Sequence, residues 1–325
     1  MESSEQIASL SADKLKQIRL FCDVAEANGS HLTLKELISL TSLDITESEL
    51  SENWGNLGEL KGYSINSGLI ISAKVVGNHS GTVKHDVMDG FSRANRNLQF
   101  SRRFATLCSS IGVNVLSVSG STSYLSVTKD GDLDFFCIMD TDSLWPSLAR
   151  FLLLARTFRL VHRDSPCICL SYVADEAFAL REFSRPQDGL FARDAIYTRV
   201  LTGEAYYARL LKSSPWMGAY FPKLYDQRVK HAEGGLIASS GGSAFRKITN
   251  LFVYITAGRY IRMKSRLLNR RYASERKWPS LFKIRTGKDH CIYESAKYLN
   301  LKQMYTTLDS IDQVSIMKIQ SNQEK

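Results

Sequence analysis

The chain has 325 residues, of which 44% are apolar and 23% are charged, and this composition excludes a disordered or collagen-like protein. Its length suggests two or three domains. No apolar run approaches the roughly 20 residues that a membrane span needs, and the polar, acidic first ten residues indicate no secretory signal, so we expect a cytoplasmic protein.

The positive charge is concentrated near the C-terminus. The net charge is +9, yet residues 243–288 alone hold 13 basic residues and one acidic residue. A local excess of this kind indicates an anionic partner for that stretch, such as RNA, an acidic protein or the phosphates of a nucleotide.

Cysteine usage agrees with a reducing compartment. The six cysteines include no C-x-x-C pair and the six histidines are scattered, so the spacing of a zinc site is missing from the sequence. Several cysteines lie inside apolar runs, such as residues 135–138 and 167–170. We expect these thiols to behave as small buried hydrophobes.

Residues 1–72 are predicted to form a small helical domain that ends in a β-hairpin. Thr33 and Thr46 are each followed by a glutamate three residues later, which is the pattern of a capping box at the start of a helix. Two short strands are expected on either side of the Asn-Ser-Gly turn at residues 66–68. Three helices followed by a β-ribbon resemble a winged helix in order and length.

Winged helices often bind DNA, but the charge of this segment favours another role. The stretch in the place of the recognition helix, residues 46–58, contains Glu47, Glu49 and Glu52 and neither lysine nor arginine. Because acidic side chains weaken binding to phosphates, we favour a protein-contact or packing role and keep DNA binding as the alternative.

Residues 73–112 are predicted to connect this segment to the next through one long helix over residues 83–111, which Gly112 ends. An apolar stripe at helical spacing should face the core; it consists of Val83, Val87, Phe91, Ala94, Leu98, Ala105 and Cys108. Four arginines should face water or a partner; they are Arg93, Arg96, Arg102 and Arg103.

Two predicted strands carry the pattern that is most informative about function. An apolar strand over residues 113–119 is followed by Gly120 and Ser121, and a second apolar strand opens with Asp132 and Asp134. Because alternate side chains of a strand point to the same face, the two carboxylates can share a divalent cation. Without a cation they would repel each other on an apolar strand. A Gly-Ser turn lets backbone N–H groups and a hydroxyl approach phosphate oxygens.

This arrangement resembles the nucleotidyltransferase superfamily, whose fold is shared with DNA polymerase beta. The resemblance implies an α+β fold with a small mixed β-sheet flanked by helices, and a two-metal transfer of an NMP from an NTP, such as ATP, to a hydroxyl acceptor. It also implies that Gly120, Ser121 and Ser123 bind the nucleotide, while the catalytic residues Asp132 and Asp134 bind Mg²⁺ or Mn²⁺. The acceptor could be a small molecule, an RNA end or a protein side chain.

One departure from the family pattern concerns the third carboxylate. The nucleotidyltransferase core is expected over residues 113–190, and its next strand, residues 167–173, contains no acid. Either Asp175 or Glu176 reaches back to the site, or Ser171 replaces the acid and the site has two carboxylates.

The wider layout resembles prokaryotic nucleotidyltransferase-domain proteins with a winged-helix-like N-terminus, over most of residues 10–225. Residues 191–325 are predicted to form a helical C-terminal region, with short helices that include Val200 and Leu201. A basic helix is expected over residues 244–272. Seven apolar residues should turn toward a core; they are Phe245, Ile248, Phe252, Ile255, Tyr260, Met263 and Leu267. Arginines should crowd the opposite side; they are Arg259, Arg262, Arg266, Arg270 and Arg271.

The leading hypothesis is therefore an Mg²⁺-dependent nucleotidyltransferase. The alternative is a catalytically degenerate domain of the same fold that acts as a nucleotide sensor or a regulatory scaffold. A nucleic-acid-binding regulator that uses residues 243–288 is a further possibility.

Overall fold

The computed structural model is a mixed α+β protein with two small sheets. It describes residues 12–27, 32–66, 68–72, 80–108, 110–128, 131–162, 165–230, 232–234, 242–274 and 283–306. Among these residues, no helix combines the length and the apolar character that crossing a membrane requires.

The helices and strands have the following bounds in the described parts of the chain. The described helices are α1 Ala12–Ala27, α2 Leu34–Thr41, α3 Glu47–Asn53, α4 Ser80–Cys108, α5 Leu144–Val161, α6 Glu176–Ser184, α7 Gly189–Tyr197, α8 Glu204–Lys212, α9 Met217–Tyr220, α10 Pro222–Val229, α11 Ala244–Val253, α12 Arg259–Ser274 and α13, residues 296–306. The strands are β1 Leu32–Thr33, β2 Tyr63–Asn66, β3 Leu69–Ser72, β4 Val113–Ser119, β5 Leu133–Met139, β6 Ile168–Asp175, β7 Arg199–Thr202, β8 Lys283–Thr286 and β9 His290–Glu294. Single helical turns occur at Trp54–Asn56, Gly58–Leu60 and Gly120–Ser123, and a π-helical turn, Tyr254–Gly258, joins α11 to α12.

The N-terminal segment forms as the capping patterns predict. Thr33 and Thr46 each close a capping box, with Glu36 and Glu49 as the third residues of α2 and α3. Strands β2 and β3 form the predicted antiparallel hairpin, and β1 adds to β3 to give the order β1-β3-β2. The middle residue of the predicted turn, Ser67, lies outside the described residues.

The N-terminal segment is seated on the rest of the protein. The Phe21 ring lies with its centroid 6.2 Å from those of Phe221 and Tyr305. Lys223 Nζ donates to the Leu43 carbonyl at 2.7 Å and pairs with the Asp44 carboxylate at 2.6 Å. The same apolar cluster therefore continues from α1 and α2 into the C-terminal half.

The larger sheet is mixed and has the strand order β7-β4-β5-β6-β9-β8. Strands β5 and β6 run parallel, and the other neighbours are antiparallel. Three of its strands come from beyond residue 190, where the sequence predicted helices. Val200 and Leu201 were assigned wrongly to a helix, because pairing with the edge of β4 overrides the local helical pattern.

Strand β5 is buried on both faces. Leu133, Phe135 and Cys137 pack in a cluster with α4 and α5, whereas Phe136 and Ile138 pack on the opposite face with α6, α7 and α8. Two buried faces explain why the strand is almost continuously apolar after Asp134.

The predicted long helix forms as α4, but it begins and ends three residues earlier than expected, at Ser80 and Cys108, and it buries its stripe only in part. Ala94, Leu98, Ala105 and Cys108 are buried, and the side chains of Val83 and Val87 lie outside the described residues. Phe91 is 45% exposed, so its assignment to the core was wrong. The segment at Val127 packs instead on the neighbouring Gly90, where a β-carbon would lie 3.3 Å from the Val127 carbonyl oxygen.

The basic helix, which we define as residues 244–274 (α11, the π-helical turn and α12), forms as predicted, but its orientation was predicted wrongly. All seven apolar residues assigned to the core are exposed. The helix instead packs through Asn250, Val253, Tyr254, Ala257 and Ile261. The Asn250 side chain accepts from the Trp145 N–H at 2.8 Å and donates to the Lys288 carbonyl at 2.9 Å, which fixes this face toward the sheet.

The junction between β7 and α8 gives a test of the sheet. Gly203 has φ +81° and a β-carbon there would lie 1.9 Å from the Asn114 carbonyl oxygen. We expect Gly203→Ala to lower the free energy of unfolding by about 2–4 kcal/mol, since it must displace the backbone of β4. A β-carbon at Gly55 would meet nothing within 4 Å, so Gly55→Ala should change stability by less than about 1 kcal/mol. Urea unfolding of both variants checks this, and equal effects would contradict it.

Candidate functional site

The predicted carboxylates lie at the start of β5. Asp132 comes directly before the strand, and Asp134 pairs with Ser119 at the end of β4 on one side and with Cys169 of β6 on the other. By strand alternation, Asp134 lies on the face of Phe136 and Ile138, whereas Asp132 precedes the strand and lines a cleft beside α4 and α5. The structure therefore brings both aspartates to the same edge of the sheet.

The Gly-Ser turn touches the second aspartate. Gly120 has φ +61°, and a β-carbon at this residue would lie 2.6 Å from Asp134 Oδ2. A glycine is required here both for the left-handed backbone and for the close approach of the carboxylate. The turn and the aspartate, which are 14 positions apart in the sequence numbering, form one compact site.

The hydroxyls of the turn have different surroundings. Ser123 is buried, and its Oγ donates to the Gly120 carbonyl at 2.8 Å. The Ser123 carbonyl in turn accepts from Arg199 Nε at 2.8 Å. Ser121 is only partly buried. Ser123 thus stabilises the turn itself, and Ser121 is the better placed of the two to meet a ligand.

Burial raises the pKa of Asp134 to about 7, and the charge of Asp132 adds to this effect. A hydrogen bond with Cys169 and the charge of Lys297 act in the opposite direction, while Asp194 raises the pKa further. At neutral pH the Asp134 carboxyl is therefore partly protonated, unless a bound cation stabilises its ionised form.

Asp132 is the more accessible carboxylate. Partial burial raises its pKa, and a hydrogen bond with Cys167 and the charge of Arg159 oppose that rise. Cys167 is exposed and Cys169 is partly buried, while Cys22, Cys108 and Cys137 are buried; all six thiols are free. The expectation of buried thiols therefore fails at the site, because Cys167 precedes β6 and Cys169 is the second residue of this strand, at the exposed end of the sheet.

The third carboxylate does not come from the end of β6. Asp175 pairs with Met139, at the opposite end of β5 from Asp134, and its Oδ1 accepts from the Phe178 N–H at 2.8 Å as the cap of α6. Glu176 accepts from Asn114 Nδ2 at 2.8 Å at that same end. The structure thus leaves Ser171 beside the site, where its Oγ lies 3.0 Å from Ser119 Oγ.

A buried charged cluster lies on the same face of the sheet. Asp194 on α7 accepts a hydrogen bond from the Tyr124 hydroxyl, and Arg193 stacks on the Tyr124 ring at 4.2 Å from its centroid. Arg193 also donates to the Tyr305 hydroxyl at 2.9 Å. Burial raises the pKa of Asp194, although the Arg193 charge opposes this. The charge of Asp194 raises the pKa of Asp134. The Asp194 carboxylate itself is engaged by the hydrogen bond from Tyr124.

An open cleft of about 1140 Å³ adjoins Asp132. Helix α4 lines one wall with Arg93, Arg96 and Arg103, which lie on one helical face because they are three and seven residues apart. Arg93 is held in place by a 3.0 Å hydrogen bond from its Nε to the Val127 carbonyl. The cleft therefore combines a carboxylate edge with a cationic wall, an arrangement suited to a phosphate-bearing ligand.

The donor set suits a hard divalent cation to a limited degree. Among the described residues, no group of three or more His, Cys, Asp or Glu side chains is arranged to hold a metal ion. Two carboxylates are nevertheless enough for Mg²⁺ when phosphates and waters fill the other positions. The mutual repulsion of Asp132 and Asp134 is the feature that such a cation would relieve.

No protein-family model, curated protein or solved structure matches the chain. The functional argument for this protein therefore depends on the geometry of its own site.

The structure brings three residues that the motif singled out, Gly120, Asp132 and Asp134, to the same end of β5. The motif did not indicate which residues surround them. The residues it missed are the cleft arginines as a group, Asp194, and Lys297 on α13. The spacing of the three cleft arginines, at i, i+3 and i+10 of one helix, was a usable signal, whereas nothing local to Asp194 or Lys297 pointed to β5.

The raised pKa of Asp134 predicts a pH dependence of stability. The unfolded chain releases this proton near pH 4 and the folded protein near pH 7, so the folded state binds more protons in between and stability falls as the pH rises through this range. In a metal-chelating buffer, wild type should lose about 2 kcal/mol more than Asp134→Asn between pH 5 and pH 8. Asp132, Asp175 and Asp194 also have raised pKa values, and comparing the two proteins removes most of their contribution.

Urea unfolding at each pH measures this difference. Asp140, which pairs with Arg246 beyond the opposite end of β5, supplies the control variant Asp140→Asn, and we expect it to follow wild type. Parallel pH profiles for wild type and Asp134→Asn would contradict the prediction.

Proposed function

We propose that this protein is a nucleotidyltransferase that moves an NMP from an NTP to a hydroxyl acceptor with the help of Mg²⁺ or Mn²⁺. The observation that carries the proposal is the contact between the Gly120 turn and the Asp134 carboxylate, with Asp132 near enough for its charge to act on Asp134. A nucleotidyltransferase needs its phosphate-binding turn and its two acids at one point, and this contact supplies that arrangement.

Different residues would bind the cation and the phosphates. Asp132 and Asp134 would hold the cation, and the turn at Gly120 and Ser121 would let the triphosphate approach the backbone closely. Bound Mg²⁺ would polarise the transferred phosphoryl group and neutralise the charge that develops on pyrophosphate. The arginines of α4 would hold the anionic phosphates in the cleft beside Asp132.

The transfer forms one bond to phosphorus and breaks one. The acceptor oxygen forms a bond to the α-phosphorus as the bond from that phosphorus to the pyrophosphate oxygen breaks, and the acceptor proton leaves to a base or to water.

The proposal extends to the N-terminal segment. We propose that α1–α3 with the β1-β3-β2 sheet is a winged-helix-like domain. Its helix α3 carries Glu47, Glu49 and Glu52, and its α1 and α2 pack on the rest of the chain. A packing and contact role fits this charge and position better than DNA binding.

A transfer assay tests the activity. We expect wild type to move label from each suitable NTP, radiolabelled at the α-phosphate, to an acceptor in total RNA or in a metabolite extract. The double variant Asp132→Asn/Asp134→Asn should lose this transfer by a factor of about a thousand or more, because the cation is held by these groups. Asp140→Asn removes a carboxylate at the other end of β5 and should keep the activity.

The same experiment addresses the second candidate function, a catalytically degenerate nucleotide sensor or scaffold. Ser171 in place of a third acid favours this alternative. Nucleotide binding by wild type without transfer to any acceptor would refute the enzyme and support the sensor. An active Asp132→Asn/Asp134→Asn variant would contradict the assignment of the site.

The cleft makes a separate prediction about nucleotide binding. We expect Arg96→Gln/Arg103→Gln to weaken NTP binding about a hundredfold or more, since each of the two removed contacts to a charged phosphate is worth about 1.5–3 kcal/mol. Arg102 is exposed on the same helix and does not line the cleft, so Arg102→Gln is the matched control. Equilibrium dialysis with a labelled NTP measures the three affinities. An equal loss in the control would show a general charge effect and not a binding cleft.

A further inference from the structure

The basic helix exposes a continuous apolar stripe. Its members lie on the side opposite the packed face and are between 42% and 78% exposed. They are Phe245, Ile248, Phe252, Ile255, Tyr260, Met263 and Leu267. Leu251, 50% exposed, widens the stripe. An exposed row of large apolar side chains of this length indicates a surface that another body covers.

The π-helical turn keeps this stripe on one face. The members are three or four residues apart up to Ile255, five residues separate Ile255 from Tyr260, and the spacing then returns to three and four. The turn Tyr254–Gly258 adds one residue at that place. Without it, Arg259 and not Tyr260 would follow Ile255 on the stripe. The five-residue gap in the sequence and the extra residue of the π-helical turn thus compensate each other, and the stripe stays on one face of the helix.

The opposite face is fixed to the protein, so the stripe cannot turn inward by a simple rotation. Asn250 makes its two hydrogen bonds to Trp145 and Lys288, and the Tyr254 and Trp145 rings lie 5.2 Å apart. Arg262 donates to Thr286 Oγ1 at 2.8 Å. The apolar stripe is therefore presented outward by a rigid support.

The charge of the helix selects the kind of partner. Residues 244–274 contain eight Lys or Arg and no Asp or Glu. In the second half, basic residues lie one turn from the stripe: Arg259 is four residues from Met263, Arg266 is three from Met263, and Lys264 is three from Leu267. Long basic side chains beside an apolar row can reach phosphates while the row enters an apolar phase.

Two other occupants fit these observations less well. A second copy that used the same stripe would bring two strongly cationic helices together without an acid on either of them. RNA would satisfy the arginines and could stack on Phe or Tyr rings, but it offers no apolar volume for Ile248, Leu251 and Leu267.

We propose that the basic helix binds the surface of an anionic lipid bilayer and lies parallel to it. A helix with an apolar face, a cationic border and low mean hydropathy is the type that inserts at the headgroup boundary and does not span the bilayer. This surface is independent of the proposed nucleotide site, which lies at the start of β5. Lipid binding would place the cleft of this protein close to a membrane.

Vesicle flotation tests the proposal with the full chain. The probes are vesicles of phosphatidylcholine containing about one third phosphatidylserine, and vesicles of phosphatidylcholine alone. We expect binding to the first kind, little binding to the second, and a steep loss when the ionic strength rises from 0.1 M to about 1 M, because salt screens the attraction.

Two variants separate the apolar and the cationic contributions. Phe245→Ser/Phe252→Ser should weaken binding to anionic vesicles at least tenfold, since both rings would leave the interface. Arg259→Gln/Lys264→Gln/Arg266→Gln should weaken it about a hundredfold, at about fivefold for each basic residue near an anionic surface. Because the altered residues are exposed, circular dichroism and thermal unfolding should match wild type.

The matched control removes apolar side chains elsewhere. Met88 and Leu107 on α4 are 59% and 44% exposed, and Met88→Ser/Leu107→Ser should bind vesicles as wild type does. Absence of binding to anionic vesicles would overturn the proposal. Equal binding by wild type and Phe245→Ser/Phe252→Ser would also overturn it, because the contact would then be electrostatic alone. Binding of RNA that needs the same phenylalanines, without vesicle binding, would assign the surface to RNA.

Discussion

The burial of the Asp134 carboxyl against the α-carbon of Gly120 is the constraint on which the candidate site depends. Strand β5 has apolar neighbours on both faces, so its register with β4 and β6 is fixed by packing. That register sets Asp134 opposite Ser119 and Cys169. A carboxylate held in this way, beside a second one, needs either a proton or a cation at neutral pH. The packing that stabilises the sheet thus also places two carboxylates together at the start of β5, where their charge must be neutralised.

The two basic surfaces of the protein differ in what accompanies their charge. In the cleft, Arg93, Arg96 and Arg103 face a pocket that also contains Asp132 and polar groups, which suits a small anion held in one place. On the basic helix, the cations border a row of exposed apolar side chains, which suits an extended surface that is anionic outside and apolar inside. Charge alone indicated an anionic partner for the C-terminal stretch, and the neighbours of each charge distinguish the two cases.

The core of the site could be predicted from the sequence because its signal is local. Asp132 and Asp134 are two residues apart in the sequence, on either side of the first residue of β5, so they lie near each other however the helices pack. Gly120 follows directly after a strand, where a turn is expected. Arg96, Asp194 and Lys297 come from three different helices, and their approach to the start of β5 depends on how those helices pack. The third acid shows the same limit, since Asp175 was one of the alternatives that sequence proximity offered and it lies at the other end of β5.

The sequence by itself determined those features whose physical cause lies within a few residues. The capping boxes at Thr33 and Thr46, the β2–β3 hairpin and the helical stripe of residues 244–272 all depend on local hydrogen bonds or on periodicity. Only the tertiary structure decided which face of the basic helix is covered. Both faces of this helix carry apolar residues. The two hydrogen bonds of Asn250 and the contact with the Trp145 ring determine which face packs on the protein, and Trp145 lies more than 100 positions from Asn250 in the sequence. Periodicity identifies a face, but the partner that covers it is set by long-range packing.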